Sequence, residues 1–235
     1  MAKRIITEVD SSLSLSTADL MAALLMIFIL LLVSTILRIE DEAAVREEIA
    51  EDYRSLKVDL YNDLRNEFSN DLDNWGAKID SNLAIRFDSP RVMFAAGSDN
   101  LQPRFREILT DFFPRYLAIM QRNKYVDHID EVRIEGHTTS SGAYRNQDPE
   151  AAYFYNMKLS QDRTRSVLEY VLRTISEAER KWSKRRITAN GMSFSRPLDE
   201  ADVNALADEN RRVEFRIVTD AEAQIDKLLR LSNGQ

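Results

Sequence analysis

From Leu20 to Leu37 every residue is apolar except Ser34 and Thr35, within the segment STADLMAALLMIFILLLVSTIL. A helix crosses the hydrocarbon of a bilayer in ~20 residues, at a rise of about 1.5 Å each, so the run predicts a transmembrane helix over 19–38. A cleaved secretory signal has a shorter apolar core followed by small residues. Here Arg38-Ile39-Glu40-Asp41-Glu42 follows, so the helix is expected to persist as an anchor. Lys3 and Arg4 precede it and acids follow it. That bias predicts a cytoplasmic tail over 1–18 and places the remainder outside the cytoplasm, in a periplasm where one exists, on an inner membrane.

The rest of the chain excludes several classes of function. Its 235 residues suit one folded domain with accessory segments. A net charge of −7 argues against direct nucleic-acid binding, which needs a basic footprint. There are no cysteines and two histidines, His128 and His137, which leaves no thiol nucleophile, disulfide, Cys-zinc site or multi-histidine metal centre. No G-x-S-x-G elbow accompanies His137. The expectation is a protein that is not an enzyme and needs neither cofactor nor metal.

After the anchor, apolar residues recur at Val45, Ile49, Tyr53, Leu56, Leu60, Leu64, Phe68, Leu72, Trp75 and Ile79 in steps of four and three. The spacing predicts a helical connector over 39–85, lacking proline and containing only Gly76. So long a stripe needs extensive cover, which predicts self-pairing into a homodimer through Leu60, Leu64 and Phe68; the alternative is a lone helix lying on the domain that follows. Over 86–220 the reading is a strand at Arg91–Phe94 and a helix from Pro103 to Met120 that Pro114 should kink or divide. A strand at Val132–Glu135, a helix from Leu159 to Ile175, and strands at Ile187–Met192 and Arg212–Val218 complete it. Helices among strands, then two strands in succession, predict an α+β fold, a mixed sheet with helices on one face. Residues 221–235 are expected to form a helical tail.

Asp19 opens the apolar run. Read plainly, Ser16 or Thr17 caps the helix and an acid in its first turn complements the dipole. Read functionally, a carboxylate at membrane depth is costly when charged and easily neutralised, so it can carry protons. Ala18, Ala22 and Ala23 beside it allow close approach of another helix. The block from Ser16 to Met26 resembles the Y-A-D-L-M segment of MotB-type stator subunits of ion-driven membrane motors, with Thr17 in place of the family's aromatic. The resemblance implies that Asp19 binds the proton.

The later motifs resemble a second family. Gly136-His137-Thr138, then YNMKLSQDR, NGMSFSRP and NRRVEFRI, with FAAGSDNLQPRFREIL before them, resemble the OmpA-like peptidoglycan-binding domain over residues 86 to 219. The resemblance implies that Arg163 pairs with a free carboxylate of diaminopimelate in the stem peptide, with Tyr155, Asn156 and Leu159 lining the same pocket and Arg211 a weaker candidate. Thr139 stands where the family has an aspartate for the ligand's ammonium; Asp148 or Glu150 could replace it.

Together the parts imply a stator B subunit: a homodimer within five A-type membrane subunits, touching membrane lipid and gripping peptidoglycan while protonation of Asp19 drives rotation. The compact length and the absence of a Pro-rich stretch beside the wall domain favour a motor of anti-phage defence over the flagellar one. A passive tether between membrane and wall is the remaining alternative, and it gives Asp19 nothing to do beyond capping.

Overall fold

The computed structural model describes residues 2–139, 148–198 and 209–220. The tail over 221–235 lies outside them. Two compact units divide the chain, Met1–Asp52 and Tyr53–Gln235.

The described residues of the first unit lie within α1, a helix that runs unbroken from Ala2 to Phe68. Because the helix already starts at Ala2, Ser16 and Thr17 are interior helical residues and do not cap it. The apolar run is long and apolar enough to cross a membrane, and none of it is covered by protein. Leu24 is 58% exposed and Phe28 63%. An apolar surface that continuous is expected to be met by lipid or another helix. The one described hydroxyl of Thr35 returns to the carbonyl of Leu31 at 2.7 Å, which satisfies it without water.

The second unit begins with the last turns of α1. Leu60, Leu64 and Phe68 are fully buried there, in the core of their own chain. That overturns the expectation that these three pair with a second copy; this part of the stripe finds its cover on the following domain. Acids on the same stretch of helix meet cations and a phenol: Asp59 pairs with Lys124, Asp63 takes Arg122 at 2.8 Å and the Tyr125 hydroxyl at 2.7 Å, and Glu67 takes Arg115 Nε at 2.8 Å. Arg115 also reaches Asp71 at 2.9 Å and stands 5.0 Å from the Phe68 ring centre.

Helix does not continue to residue 85. After α2 (Leu72–Trp75), Gly76 adopts φ 60°, a left-handed stop that favours glycine, and the chain turns into β1 (Ala77–Ile79) and β2 (Ala84–Phe87). A period-3.6 stripe that happened to extend through Trp75 and Ile79 hid this boundary. Residues Pro90–Met93 form a helical turn, α3, where a strand was expected, with Pro90 at its first position. α4 (Pro103–Met120) passes through Pro114 without dividing, since Phe112, Phe113, Tyr116 and Leu117 on either side are all fully buried and hold both turns. β3 (Ile129–Gly136), α5 (Pro149–Val171), α6 (Glu177–Arg186), β4 (Ile187–Gly191) and β5 (Val213–Thr219) complete the unit. α6 is a helix the periodicity missed, because nearly all of its face is charged; a Ser176–Glu179 capping box starts it.

The sheet order is β1-β2-β5-β3-β4, antiparallel except for the β3–β4 pair, whose crossover contains α5. One face carries Phe87, Ile134 and Phe215 into a core built around Phe112, whose ring lies within 5.0–6.0 Å of Phe68, Trp75, Phe87, Tyr116 and Phe215. The other face is polar. The expected class, α+β with a mixed sheet and helices, is the one observed.

Candidate functional site

Asp19 sits on α1 with Ala18, Ala22 and Ala23, all exposed. These small residues leave the carboxylate standing clear on a surface that a second helix can approach closely.

The second candidate site is built where α5 crosses the ends of β3 and β4. Gly136 and Gly191 are paired across these strands. A Cβ on Gly136 would come within 2.7 Å of Thr164 Cγ2 and 2.8 Å of the Ser160 carbonyl; one on Gly191 would come within 2.5 Å of Gln161 N. Only glycine permits so close a crossing. The helix is then bonded in place. Gln161 Oε1 accepts from Gly191 N at 2.7 Å, its Nε2 donates to the Ala189 carbonyl at 3.0 Å, and Ser160 Oγ accepts from Ser193 N at 3.1 Å. The Ser of the L-S-x-x-R motif is therefore structural, and it sets the register that delivers Arg163.

Arg163 and Arg211 line one cleft, together with Phe94, Gly136, His137 and Arg212. Arg163 Nε donates to the Ser98 carbonyl at 2.9 Å and Nη2 to that of Ala95 at 3.4 Å, with the guanidinium 4.9 Å from the Phe94 ring centre. Those bonds take the side-on fork that a carboxylate would use. Nη1 has no hydrogen-bond partner among the described residues, which leaves the end of the guanidinium as the open side. Burial and the neighbouring Arg211 pull the Arg163 pKa below its ordinary value, which marks a cation short of counter-charge.

The other expected residues fall less uniformly. Tyr155, about two turns back on α5, has its hydroxyl over the Gly97 turn, where a Cβ on Gly97 would be 3.8 Å away, and it interacts electrostatically with Arg163. Asn156 donates to the Ala152 carbonyl at 2.9 Å within its own helix. Leu159 is half-buried and Thr139 is buried, and neither lines the cleft. Asp148 is occupied as the cap of α5, accepting from Glu150 N at 3.2 Å, while Glu150 is exposed in the first turn. The acid that sequence reading missed is Asp99, in the Gly97-Ser98-Asp99-Asn100 turn, close enough to Arg163 to act on its charge and 3.5 Å from Ser166 Oγ. A turn acid gives no periodic signal; only the fold brings it to the helix.

Next to the cleft lies a buried ionic network on the polar face of the sheet. Glu135 and Glu214 are directly opposed on β3 and β5, at 1% and 3% exposure. Like charges so placed repel. Arg212 Nε answers Glu214 at 2.6 Å, Arg216 Nη2 reaches the same carboxylate at 2.9 Å, and Arg216 Nε is 3.4 Å from Glu135. Burial alone would raise both carboxyls. Arg216 holds Glu135 below the usual range, and Arg212 does the same for Glu214. His137 Nε2 is 3.8 Å from Glu135, too far for a hydrogen bond, and burial lowers its pKa, so the ring is neutral. The three side chains Glu135, His137 and Glu214 lie close enough to resemble a metal cluster. Two arginines already balance the two carboxylates, so a dication would add uncompensated buried charge.

The geometry can be set beside known proteins. Residues 93–211 match the OmpA family. The Zorya protein ZorB of Escherichia coli is 40% identical over 94% of this chain and 93% of its own length. The chain belongs to the OmpA family, as a relative of ZorB. The outer-membrane lipoprotein YfiB of Pseudomonas aeruginosa is 33% identical over 53% of this chain and 61% of its own. A MotB-like protein from Desulfovibrio vulgaris, 24% identical, superposes with a TM-score of 0.51 over 74% of this chain and 99% of that one, which shows a shared fold. No catalytic family is among them, and the ZorB relationship, with the apolar helix, supports a stator-like B-type subunit.

Proposed function

We propose that the chain is the peptidoglycan-anchored, proton-binding B subunit of a motor driven by the proton-motive force, in a Zorya-type anti-phage system. The observation that carries this reading is the union, in one chain related to ZorB over nearly its full length, of a membrane-length helix bearing Asp19 and an OmpA domain bearing the Arg163 cleft. An ionisable group on a membrane helix has work to do only if something is held fixed against it. The wall grip supplies that fixed point.

In this reading the helix spans the inner membrane once, with the N-terminus cytoplasmic and the OmpA domain periplasmic. Two copies stand within a ring of five A-type subunits. Leu60, Leu64 and Phe68 are spent on their own domain, so the pairing surface falls to the apolar helix and the connector before Tyr53. Arg163 and Arg211 receive a carboxylate of the diaminopimelate stem peptide, Tyr155 borders it, and Asp99 takes the ammonium role for which the family's aspartate is absent at Thr139.

The deciding experiment is Asp19→Asn in cells challenged with phage, with membrane levels checked by blot. Loss of protection at unchanged levels is expected; full protection overturns the motor reading. For the wall site, Arg163→Ala should lower retention on purified sacculi at least tenfold, and unchanged retention would remove the cleft from the account.

A further inference from the structure

Buried polar atoms are nearly always hydrogen-bonded, and each exception asks for a reason. Five such atoms gather next to the Arg163 cleft: Glu135 Oε2, His137 Nδ1 and Nε2, Thr138 Oγ1 and Arg216 Nε are buried with no hydrogen-bond partner among the described residues. Of these four residues His137 is the one that also lines the cleft, beside Arg163, Arg211 and Arg212. Its backbone N donates to the Arg212 carbonyl at 2.9 Å, which fixes the residue there, and its side chain is 1% exposed. A structural histidine usually has its tautomer set by the bond that one ring nitrogen makes. No such bond sets it here.

The charged groups around the ring come from every element packed there. Glu135 belongs to β3, Glu214 and Arg216 to β5, Arg211 and Arg212 to the turn that leads into β5, and Arg163 to α5. Glu135 and Glu214 are answered by Arg216 and Arg212, and the cleft side presents two more guanidiniums, Arg163 and Arg211. A proton on His137 is therefore opposed by burial and then by Arg212, and its pKa is lowered. A carboxylate against Arg163 reverses the balance. The cleft holds about 250 Å³ of empty space, so a group seated in it stands within roughly 4–6 Å of the ring, the range over which an opposite charge favours the protonated form. Glu135 Oε2, itself unpartnered and 3.8 Å from Nε2, is placed to accept from the ring once it is charged.

We propose that His137 is a proton-operated element of this cleft: as a carboxylate seats between Arg163 and Arg211, the ring takes up a proton from solvent and donates to Glu135, so the grip on the ligand tightens as the surroundings acidify. Proton and ligand then raise each other's affinity by the same factor. No bond in the ligand forms or breaks. His137 has this role only if the cleft is the wall site, and its effect is then to make anchorage answer to acidity.

Between about pH 5.5 and 7.5 the side chains that titrate are the two histidines, since there is no cysteine and carboxyls titrate lower. His128, before the first residue of β3 and beside Asp220, is the control. Retention of the full chain on purified sacculi at fixed salt should rise on the order of tenfold from about pH 7.5 to 5.5, the effect of a shift of about one pH unit. His128→Gln should keep that slope and His137→Gln should flatten it. On the parent protein in detergent, carbon-13-labelled histidine gives two Cε1 signals. The His137 midpoint should move up by about one pH unit when disaccharide-tetrapeptide released from sacculi is added. A slope that survives in His137→Gln, or a midpoint that the muropeptide leaves in place, overturns the proposal; the parent titration gives that answer even if the variant misfolds. Arg163→Ala separates the two readings. Retention lost at every pH in that variant, with the parent's His137 midpoint unmoved, overturns the proton coupling alone; retention unchanged in it overturns the wall site and the coupling with it.

Discussion

Asp19 and Glu214 are both carboxylates on regular elements, and they meet opposite surroundings. Asp19 stands exposed on a helix whose neighbours are alanine and leucine; Glu214 is buried at 3% exposure with Arg212 and Arg216 bonded to it. The buried acid is kept charged by partners within its own unit, so its charge is structural. The exposed one has no such partner among the described residues. What distinguishes the two carboxylates is the pairing of Glu214 with two arginines.

The sharpest test of that contrast is Glu214→Ala. It strands two guanidiniums, Arg212 buried and Arg216 partly so, and should destabilise the OmpA domain by about 3–5 kcal/mol. Both tryptophans, Trp75 and Trp182, lie in that unit, so urea unfolding followed by their fluorescence reports on it alone. A loss under about 1 kcal/mol would mean the network is not what holds β3 to β5. Leu64→Ala should cost about 2–5 kcal/mol in the same assay, because the side chain is fully buried in its own domain. Unchanged stability with lost self-association would restore the pairing role that the fold denies it.

Acid should weaken the domain in two stages. The folded His137 pKa is lowered, so below about pH 6.5 the unfolded chain binds a proton that the fold resists, and stability falls with pH. Glu135 and Glu214 also have lowered pKa values; their contribution is present above about pH 4.5 and is lost as pH drops through their folded values. Melting temperature against pH for the parent and His137→Gln should show the first stage removed and the second retained. A superimposable pair of curves would break this assignment.

Smaller still is Lys124→Ala, an exposed pair with Asp59 expected to change stability by less than about 1 kcal/mol. The smallest is Asp19→Asn, which should leave the tryptophan-reported unfolding unchanged while abolishing output in cells. A measurable loss of domain stability would mean Asp19 belongs to the structure after all.

The length and apolarity of the run from Leu20 to Leu37 were legible without a structure, because hydrophobic transfer adds residue by residue along the chain. So were α4, β3, β4 and β5, whose periods are local, and the motif that carries Arg163 into the cleft. The rest depended on contacts distant in sequence. A four-and-three stripe says that Leu60, Leu64 and Phe68 need cover, but not whether a second copy or Phe112 of the same chain provides it. The pattern L-S-x-x-R names an arginine, but only the Ala95–Ser98 turn decides that its side-on fork is already taken. Two glutamates at 135 and 214 look like surface charge until strand register sets them face to face and calls in two arginines. Periodicity records what each element must bury; the partner it buries it against is a property of the assembled chain, settled only when β5 inserts between β2 and β3.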